Sequence, residues 1–438
     1  MYRGKTHELF AKYALPQMVG LLFNSVYTIV DGVFIGHRLG RGAMAAAAVS
    51  VPLVEILIAL GIAIAAGAGM LISGALGRGE DERARRVFTT AAVFTAAAGV
   101  LIAVLGNVFL DELAVLLGST EAIHREAVSY MWYIVTFSPF QLFSFLLSGL
   151  VRSDGRPRLA MTALITGSVS NIILDYVFMY PLDMGISGAA LATALGPIFS
   201  VLIMLPHFLF RRGRLYAVRT LPGPALAGRI CSLGVPAFIM EFTIGVVTFV
   251  YNFAITRWGF GEIGLAAYLV IGYLMLIILT LFLGMAQGLQ PVFSYFLGSG
   301  ESGRSRELLS FSIKIFIAAG IACYALVLVC SQGFYSVFNP GDPELTAFAS
   351  ERSAVYFCGF TFAGFNILMI TFWQATGKTA RALAASLMRS AVFTPAFAAV
   401  LPAVFGAEAL WICHSAAEAA TAAAVCIMFY LSSRKPSR

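Results

Sequence analysis

The sequence contains few charged residues and none of the common sequence motifs of enzymes or nucleotide-driven pumps. Only 12% of its 438 residues are Asp, Glu, Lys or Arg, whereas 59% are hydrophobic and the mean hydropathy is +0.87. It has no Walker A loop, HExxH sequence or GxSxG turn. The composition excludes an ordinary soluble protein, and the missing motifs exclude ATP-driven pumping and give no reason to predict an enzyme.

Cysteine and histidine are also scarce. The six cysteines show no CxxC spacing and lie in or beside apolar segments, so we interpret them as small packing residues and predict no metal site. Of the five histidines, only His414 lies plainly inside an apolar segment. We interpret His414 as a packing residue with satisfied hydrogen bonds and not as a ligand.

Long uncharged segments predict an all-α integral membrane protein. Residues 87–110 and 184–206 contain no charged side chain, and each exceeds the about 20 apolar residues with which a helix crosses a bilayer. Applied along the chain, this reasoning predicts twelve transmembrane helices. They are predicted at residues 9–36, 46–76, 87–110, 127–151, 159–182, 186–210, 230–256, 263–297, 311–333, 353–376, 383–404 and 409–431.

The positive charges alternate between the two ends of the predicted helices. Of the 29 Lys and Arg residues, 24 fall on the side that holds both termini and five fall on the other side. By the positive-inside rule, both termini are expected in the cytoplasm. The net charge of +7 therefore reflects membrane topology, and no nucleic-acid partner is predicted.

The sequence repeats its landmarks about 220 residues apart. Residues 16–31 resemble residues 236–251, and both segments begin with proline. The glycine-rich turn at residues 77–80 recurs at residues 298–301. Such internal similarity is typical of transporters that are built from two related halves.

The repeat predicts two pseudo-symmetric six-helix bundles. We assign residues 1–215 to an N-terminal lobe and residues 216–438 to a C-terminal lobe, since an irregular linker rich in Pro and Gly follows this boundary. Because each half has six helices, both halves start on the same side of the membrane. The repeat is therefore parallel, with its axis along the membrane normal, and the lobes are expected to meet at a central cleft.

Two aspartates in the first half are candidates for binding a coupling ion. Placing a charged side chain at the centre of a bilayer costs about 2.5 to 3.5 kcal/mol of free energy, so a carboxyl there needs a structural or functional explanation. Asn171 precedes Asp175 by one helical turn on the same face, and Thr193 on the next helix could add a hydroxyl. With Asp31, these residues predict an all-oxygen site for H⁺ or Na⁺. The alternative is that both carboxyls only form hydrogen bonds that hold the bundle together.

Other polar and aromatic residues are expected in the cleft. Glu241 lies five residues after Pro236 and would attract a cationic substrate. Tyr27 and Tyr251 would contact such a substrate by cation–π interaction, and Gln287 is assigned to the same cleft.

Other charged residues also lie inside predicted spans. Glu55 and Glu418 are expected to lie near a helix end or to pair locally. Arg389 is expected to extend its side chain toward the cytoplasm.

Taken together, these residues resemble the multidrug and toxic compound extrusion (MATE) family, in particular its bacterial MepA-type branch. The resemblance covers nearly the whole chain. It rests on Pro16 with residues 30–36, on residues 171–175 followed by 188–193, and on residues 288–291.

The resemblance implies a monomer in the bacterial cytoplasmic (inner) membrane that exports small cationic amphipathic compounds in exchange for H⁺ or Na⁺. It also implies a cation site at Asp31, Asn171, Asp175 and Thr193 and a protonation-linked helix bend at Pro16. No other cofactor is expected. Some relatives carry acids on helices seven and ten, but residues 353–376 contain none, so no cation site is expected in the C-terminal lobe.

The main alternative is a flippase for a lipid-linked oligosaccharide or another amphipathic lipid. A protein that handles pyrophosphate should line its cleft with several Arg or Lys side chains, whereas the first lobe buries acids instead. We therefore favour a cation-coupled multidrug antiporter that works by alternating access.

Overall fold

A computed structural model describes residues 4–220, 223–338 and 342–433, and all regular secondary structure in these residues is helical. Ten helices are long and apolar enough to cross a membrane, and two pairs of shorter helices, each bent at a short break, bring the described spans to twelve. This outcome confirms the prediction of an all-α membrane protein. Helices suit a bilayer because they satisfy their own backbone hydrogen bonds.

We number the twelve spans in chain order. They are α1 Thr6–Gly40, α2 Gly42–Gly77, α3 Asp81–Val108, α4 His124–Thr136 with Ser138–Ser153, α5 Pro157–Met179, α6 Gly185–Leu209, α7 Pro224–Arg257, α8 Gly261–Ser299, α9 Ser302–Phe338, α10 Pro343–Phe357 with Phe360–Ala375, α11 Thr379–Phe405, and α12 with a 3₁₀ turn Ala407–Ile412 and a helix Cys413–Ser433. A short helix, Leu110–Leu116, follows α3, and α11 contains a π-helical turn, Met388–Phe393.

The predicted spans begin later than the helices do, and the ninth and tenth differ most. The sequence analysis started the ninth span at residue 311 and the tenth at residue 353, whereas α9 begins at Ser302 and α10 at Pro343. Both helices extend beyond their apolar segments through charged first turns. At α10 the start has a clear cause, because Asp342 Oδ1 accepts a hydrogen bond of 2.9 Å from the backbone N–H of Leu345 and caps the helix.

The bends in α4 and α10 occupy the same place in each half of the chain. The two segments of α4 meet at 46° and those of α10 at 50°. In α4 the break precedes Pro139, which has no N–H to continue the helical ladder. In α10 the break lies next to Gly359, whose backbone N–H donates to the Ser415 hydroxyl at 2.8 Å and not to a carbonyl of its own helix.

The repeat recurs in the backbone at helix ends. Gly79 after α2 and Gly300 after α8 have φ of 78° and 75°, a left-handed conformation that favours glycine. The next residue closes each turn in the same way, since Glu80 donates its N–H to Ala75 O at 2.9 Å and Glu301 donates to Phe296 O at 3.0 Å. Gly155 and Gly377 end α4 and the second segment of α10 with φ of 82° and 74°.

The chain forms two compact units by its internal contacts. The first comprises the described residues up to Phe238 together with Gln287–Ser305, and the second comprises Ile239–Ala286 and the described residues from Arg306 onward. These units follow spatial contacts and not the sequence repeat. The lobe boundary between residues 215 and 216 therefore stays a prediction.

Glycines permit close helix crossings inside the first unit. A Cβ on Gly67 of α2 would overlap the carbonyl of Ile230 on α7, and a Cβ on Gly234 of α7 would overlap the carbonyl of Ala63 on α2. Small residues of this kind let membrane helices pack backbone to backbone.

The crossing of α5 and α6 also depends on glycine, and it lies one turn from the proposed ion site. A Cβ on Gly167 would lie 2.8 Å from Gly196 O and closer still to Ser200 Oγ. Gly167→Val is therefore expected to push α6 away from Asn171 and to lower the apparent melting temperature of the detergent-solubilised protein by several degrees. Thermal unfolding followed by intrinsic fluorescence would measure the change.

A matched control is Gly245→Ala in α7, because, apart from the neighbouring turns of its own helix backbone, no atom of the described residues lies within 4 Å of the added Cβ. This variant should melt at least as high as the parent protein, since Ala favours a helix over Gly by about 1 kcal/mol. Equal melting temperatures for Gly167→Val and the parent would contradict the tight α5–α6 crossing.

Candidate functional site

The first unit brings Asp31 of α1 and Asp175 of α5 together. Their side chains are hydrogen-bonded to each other, and a hydrogen bond between two carboxyl groups requires a proton on one of them. Asp175 is fully buried. The Oδ1 atom of each aspartate is buried without a hydrogen-bond partner among the described residues. One proton shared between the two carboxyls would satisfy this contact, and the two buried Oδ1 atoms would still be able to accept hydrogen bonds.

Asn171 connects this pair to α6. With its amide oriented so that both ends are satisfied, Asn171 donates to Asp175 Oδ2 at 3.2 Å and accepts from the backbone N–H of Thr193 at 3.1 Å. The one-turn spacing of Asn171 and Asp175 on α5 creates the first contact, as the sequence predicts. The structure thus places Asp31, Asn171, Asp175 and Thr193 in one cluster.

Two tyrosines complete the surroundings of the aspartates. Tyr27, one turn before Asp31 on α1, interacts electrostatically with both carboxyls. Tyr130 on α4 is 5% exposed and forms a side-chain hydrogen bond with Thr193. The sequence analysis missed Tyr130. Tyr130 matches Tyr356 in the second half of the sequence repeat, but such a match does not indicate which side chain Tyr130 contacts.

Pro16 lies inside α1 and is buried. The backbone of α1 and α2 keeps helical angles from Thr6 to Gly77 except at Gly40, where φ is 80°. Pro16 removes the hydrogen bond that Lys12 O would otherwise accept, which makes this turn easier to deform. The protonation-linked bend at Pro16 stays a prediction.

A small cavity in the first unit is lined by apolar and polar side chains, and Gln17, Ser148, Arg152 and Gln287 are among the polar ones. Arg152 donates to Gln17 Oε1 at 2.7 Å and to Ser148 Oγ at 2.8 Å, and Gln17 donates to Gln287 Oε1 at 3.4 Å. The sequence analysis counted Arg152 as a cation at a cytoplasmic helix end, but its residue is only 7% exposed. Gln287, predicted in the cleft, lines this cavity.

The remaining cleft residues belong to the second unit. Tyr251 is fully buried and stacks on Tyr268 with 4.9 Å between ring centroids. Its hydroxyl donates to Leu410 O at 3.4 Å. Glu241 is 7% exposed. The cleft that the sequence analysis predicts for Tyr251 and Glu241, together with Tyr27 and Gln287 of the first unit, stays a prediction.

The second unit contains a buried polar network that corrects two sequence interpretations. Arg389 does not extend toward the cytoplasm, because its Nε lies 2.6 Å from Glu418 Oε1 and its side chain is only 12% exposed. Asn366 donates to Glu418 Oε2 at 2.8 Å. His414 is not a satisfied packing residue, since neither ring nitrogen has a hydrogen-bond partner among the described residues. Glu418 does pair locally, as expected.

A protein-family comparison identifies the fold. The model for MatE matches residues 16–177 and 236–400. The chain belongs to the MatE family. The two matches begin at Pro16 and Pro236, so the same family unit occurs once in each half, as the internal repeat predicts.

Bacterial relatives of this MatE protein are multidrug exporters by name. The chain is 24% identical over 426 residues to the multidrug export protein MepA of Staphylococcus aureus strain MSSA476, covering 96% of this chain and 93% of the relative. It is 25% identical over 396 residues to MepA of Staphylococcus haemolyticus strain JCSC1435, covering 90% of this chain and 86% of the relative. The suspected MATE and MepA-type resemblance is confirmed.

Solved structures share the fold of this MatE protein. A crystal structure of MATE in complex with MaL6 superposes with a TM-score of 0.93 at 21% identity, covering 98% of this chain and 97% of that chain. The structure of a MOP superfamily transporter from Pyrococcus furiosus superposes with a TM-score of 0.92 at 21% identity, covering 98% of this chain and 96% of that chain. These likenesses show the fold, and membership of the MatE family makes the protein a multi-pass membrane transporter and not an enzyme.

Proposed function

We propose that this MatE protein is a cation-coupled multidrug exporter in which Asp31 and Asp175 bind the coupling ion. The observation that carries the proposal is the hydrogen-bonded pair of buried carboxyls, each with an oxygen that has no hydrogen-bond partner among the described residues. The names of the relatives support multidrug export. Buried carboxyls in a transporter are typical of ion and proton pathways.

The shared hydrogen bond favours H⁺ as the coupling ion. In the state with one proton, the pair carries a single negative charge and can accept either a second proton or a cationic substrate. Binding of a second proton makes the pair neutral and weakens its attraction for the substrate. If the site faces the two sides of the membrane in turn, this competition exchanges entering protons for exported compound. Na⁺ coordinated by the same carboxyl and amide oxygens is the alternative.

The proposed transporter is a monomer in a bacterial cytoplasmic membrane with both termini in the cytoplasm. The asymmetric distribution of Lys and Arg supports this orientation. Its proposed substrates are small cationic amphipathic compounds, because an anionic pair beside Tyr27 suits a flat organic cation.

Substrate-induced ion flux in proteoliposomes tests the proposal. With a proton gradient imposed alone, addition of ethidium or tetraphenylphosphonium is expected to release protons, reported by a pH-sensitive dye trapped in the lumen. With a sodium gradient imposed alone, we expect no flux of ²²Na⁺ above that of protein-free vesicles. Sodium flux without proton flux would identify Na⁺, and not H⁺, as the coupling ion. The absence of both fluxes would refute coupled transport.

A flippase remains the second candidate. Arg152 is the one Lys or Arg among the side chains that line the cavity of the first unit, and it contacts Gln17 and Ser148. A pyrophosphate headgroup would need several cations. The carboxyl pair therefore supports cation-coupled export more strongly.

A further inference from the structure

Glycines bring four helices of the first unit into backbone contact. An added Cβ on any of five glycines of α2, α7 and α8 would overlap a backbone carbonyl oxygen of another helix. These glycines are Gly67, Gly77, Gly234, Gly288 and Gly298. In every case one helix, α1 or α2, belongs to the first half of the sequence repeat and the other, α7 or α8, belongs to the second. We call these the glycine contacts.

The glycine contacts follow the internal repeat. Gly67 and Gly288 occupy matching positions 221 residues apart, and so do Gly77 and Gly298. Gly67 of α2 meets α7, whereas Gly288 of α8 meets α1. Gly77 of α2 meets α8, and Gly298 of α8 meets α2. Each half of the chain therefore contacts the other half through equivalent glycines.

The contacts lie at the helix ends that the loop charges assign to the cytoplasm. The helices α2 and α8 end there at Gly77 and Ser299, and α1 and α7 begin there at Thr6 and Pro224. The remaining lengths of α7 and α8, within Ile239–Ala286, belong to the second unit. Within the first unit, the two halves of the repeat are therefore joined backbone to backbone at the predicted cytoplasmic end.

The small cavity of the first unit lies deeper along the same helices. Its lining residues on α2 end at Ala66, eleven residues before Gly77, and those on α8 end at Gln290, eight residues before Gly298. A helix rises 1.5 Å per residue, so these separations correspond to about 12 to 17 Å along the helices. The contact between α2 and α8 therefore lies between the cavity and the predicted cytoplasmic end.

We infer that the glycine contacts are the cytoplasmic gate of the transporter, closed in this structure. An exporter that works by alternating access opens to the cytoplasm in one state, and the helices of its two halves have to separate there. Dispersion attraction falls by a quarter to a half when a gap of about 0.5 to 1 Å opens, so a small displacement releases much of such a contact. The inference rests on the proposed export only in requiring alternating access, and it holds for either coupling ion.

Cysteine labelling of the purified full-length protein tests the gate. In a background whose six cysteines are replaced by alanine, Ser73→Cys serves as a reporter on α2, next to Gly74. Ser73 is fully buried, and its hydroxyl has no hydrogen-bond partner among the described residues. Gly298→Ala adds the Cβ that overlaps the Gly74 carbonyl. This substitution is expected to raise the rate at which a polyethylene glycol maleimide modifies the reporter about tenfold, because the rate follows the open fraction. A mass shift on a gel measures it.

A control substitution and a second reporter separate opening of the gate from loosening of the fold. Gly272→Ala lies on the same helix as Gly298, and apart from its own helix backbone no described atom lies within 4 Å of the added Cβ. It should leave the labelling rate at the parental value. Ser50→Cys lies toward the other end of α2, where Ser50 is 1% exposed, and it should be labelled slowly in every variant.

Gly77→Ala, at the position that matches Gly298 in the repeat, should give the same selective increase at Ser73→Cys. Each variant must elute as a single species of parental size. Unchanged labelling of Ser73→Cys in both alanine variants would overturn the inference. Faster labelling of both reporters would also overturn it, since the glycine contacts would then be permanent packing. Labelling needs neither an ion gradient nor a substrate, so its outcome is independent of the flux experiment.

Discussion

Asp31→Asn and Asp175→Asn are each expected to reduce ion-driven export to the level of protein-free vesicles. Either amide keeps the size of the side chain but removes one carboxyl from the hydrogen-bonded pair. Each variant leaves a single ionisable group that no longer shares a proton with an acidic partner, so the proposed exchange of protons for substrate is expected to fail. Ethidium transport into inverted membrane vesicles energised by an imposed proton gradient measures the loss.

The matched control for these variants is Asp183→Asn. Asp183 is an acid on the same unit, with a side chain that is 76% exposed and paired with Arg38. Because exposed ion pairs contribute at most about 1 kcal/mol, this variant should export at the parental rate. All three variants should insert in the membrane in equal amounts. Normal gradient-driven export by Asp31→Asn and Asp175→Asn would refute the assignment of the ion site.

Arg389→Met is expected to cause a large loss of thermal stability by breaking a buried ion pair of the second unit. Glu418 is 1% exposed and would lose its ion-pair partner while keeping its charge in an apolar interior. Removing one partner of a buried pair typically costs about 3 to 5 kcal/mol. The apparent melting temperature in detergent should therefore fall by far more than for Arg86→Met, the same substitution at an ion pair with Glu82 whose side chains are 58% and 78% exposed.

A compensating variant distinguishes the lost pairing from a lost side chain. Arg389→Met combined with Glu418→Leu removes both charges and leaves Asn366 its second hydrogen bond, to the backbone oxygen of Glu418 at 2.9 Å. Replacing a buried pair by apolar residues is often neutral or stabilising, so most of the melting temperature should return. A double variant as unstable as Arg389→Met would show that packing by Arg389, and not its charge, stabilises this region.

The span prediction succeeded where local composition decides the outcome. Apolar segments longer than a bilayer crossing identify helices such as α3 and α6, and an uncharged segment too short for two spans identifies α8 as one long helix. Helix starts were less accurate. The spans α9 and α10 begin in charged turns, where hydropathy gives no signal and only the Asp342 cap marks the boundary of α10.

The contacts among the proposed site residues were partly predictable, because one of them is local in the sequence. Asn171 and Asp175 lie one turn apart on one helix, so their contact follows from helical periodicity alone. Asp31 was added because a charge in a membrane span is costly, and Thr193 was added because the next helix could supply a hydroxyl. Tyr130 was missed since its contact with Thr193 joins α4 to α6 and has no counterpart in sequence spacing.

The sequence by itself determined that this chain is a duplicated helical membrane transporter, because apolar length, loop charge and repeated landmarks are properties of the linear chain. Only the tertiary structure decided which buried polar groups are paired. Arg389 and Glu418 form their ion pair across α11 and α12, while His414, beside them, keeps both ring nitrogens without a partner among the described residues. Pairing inside a bundle depends on how separate helices pack, which no periodicity along one helix specifies.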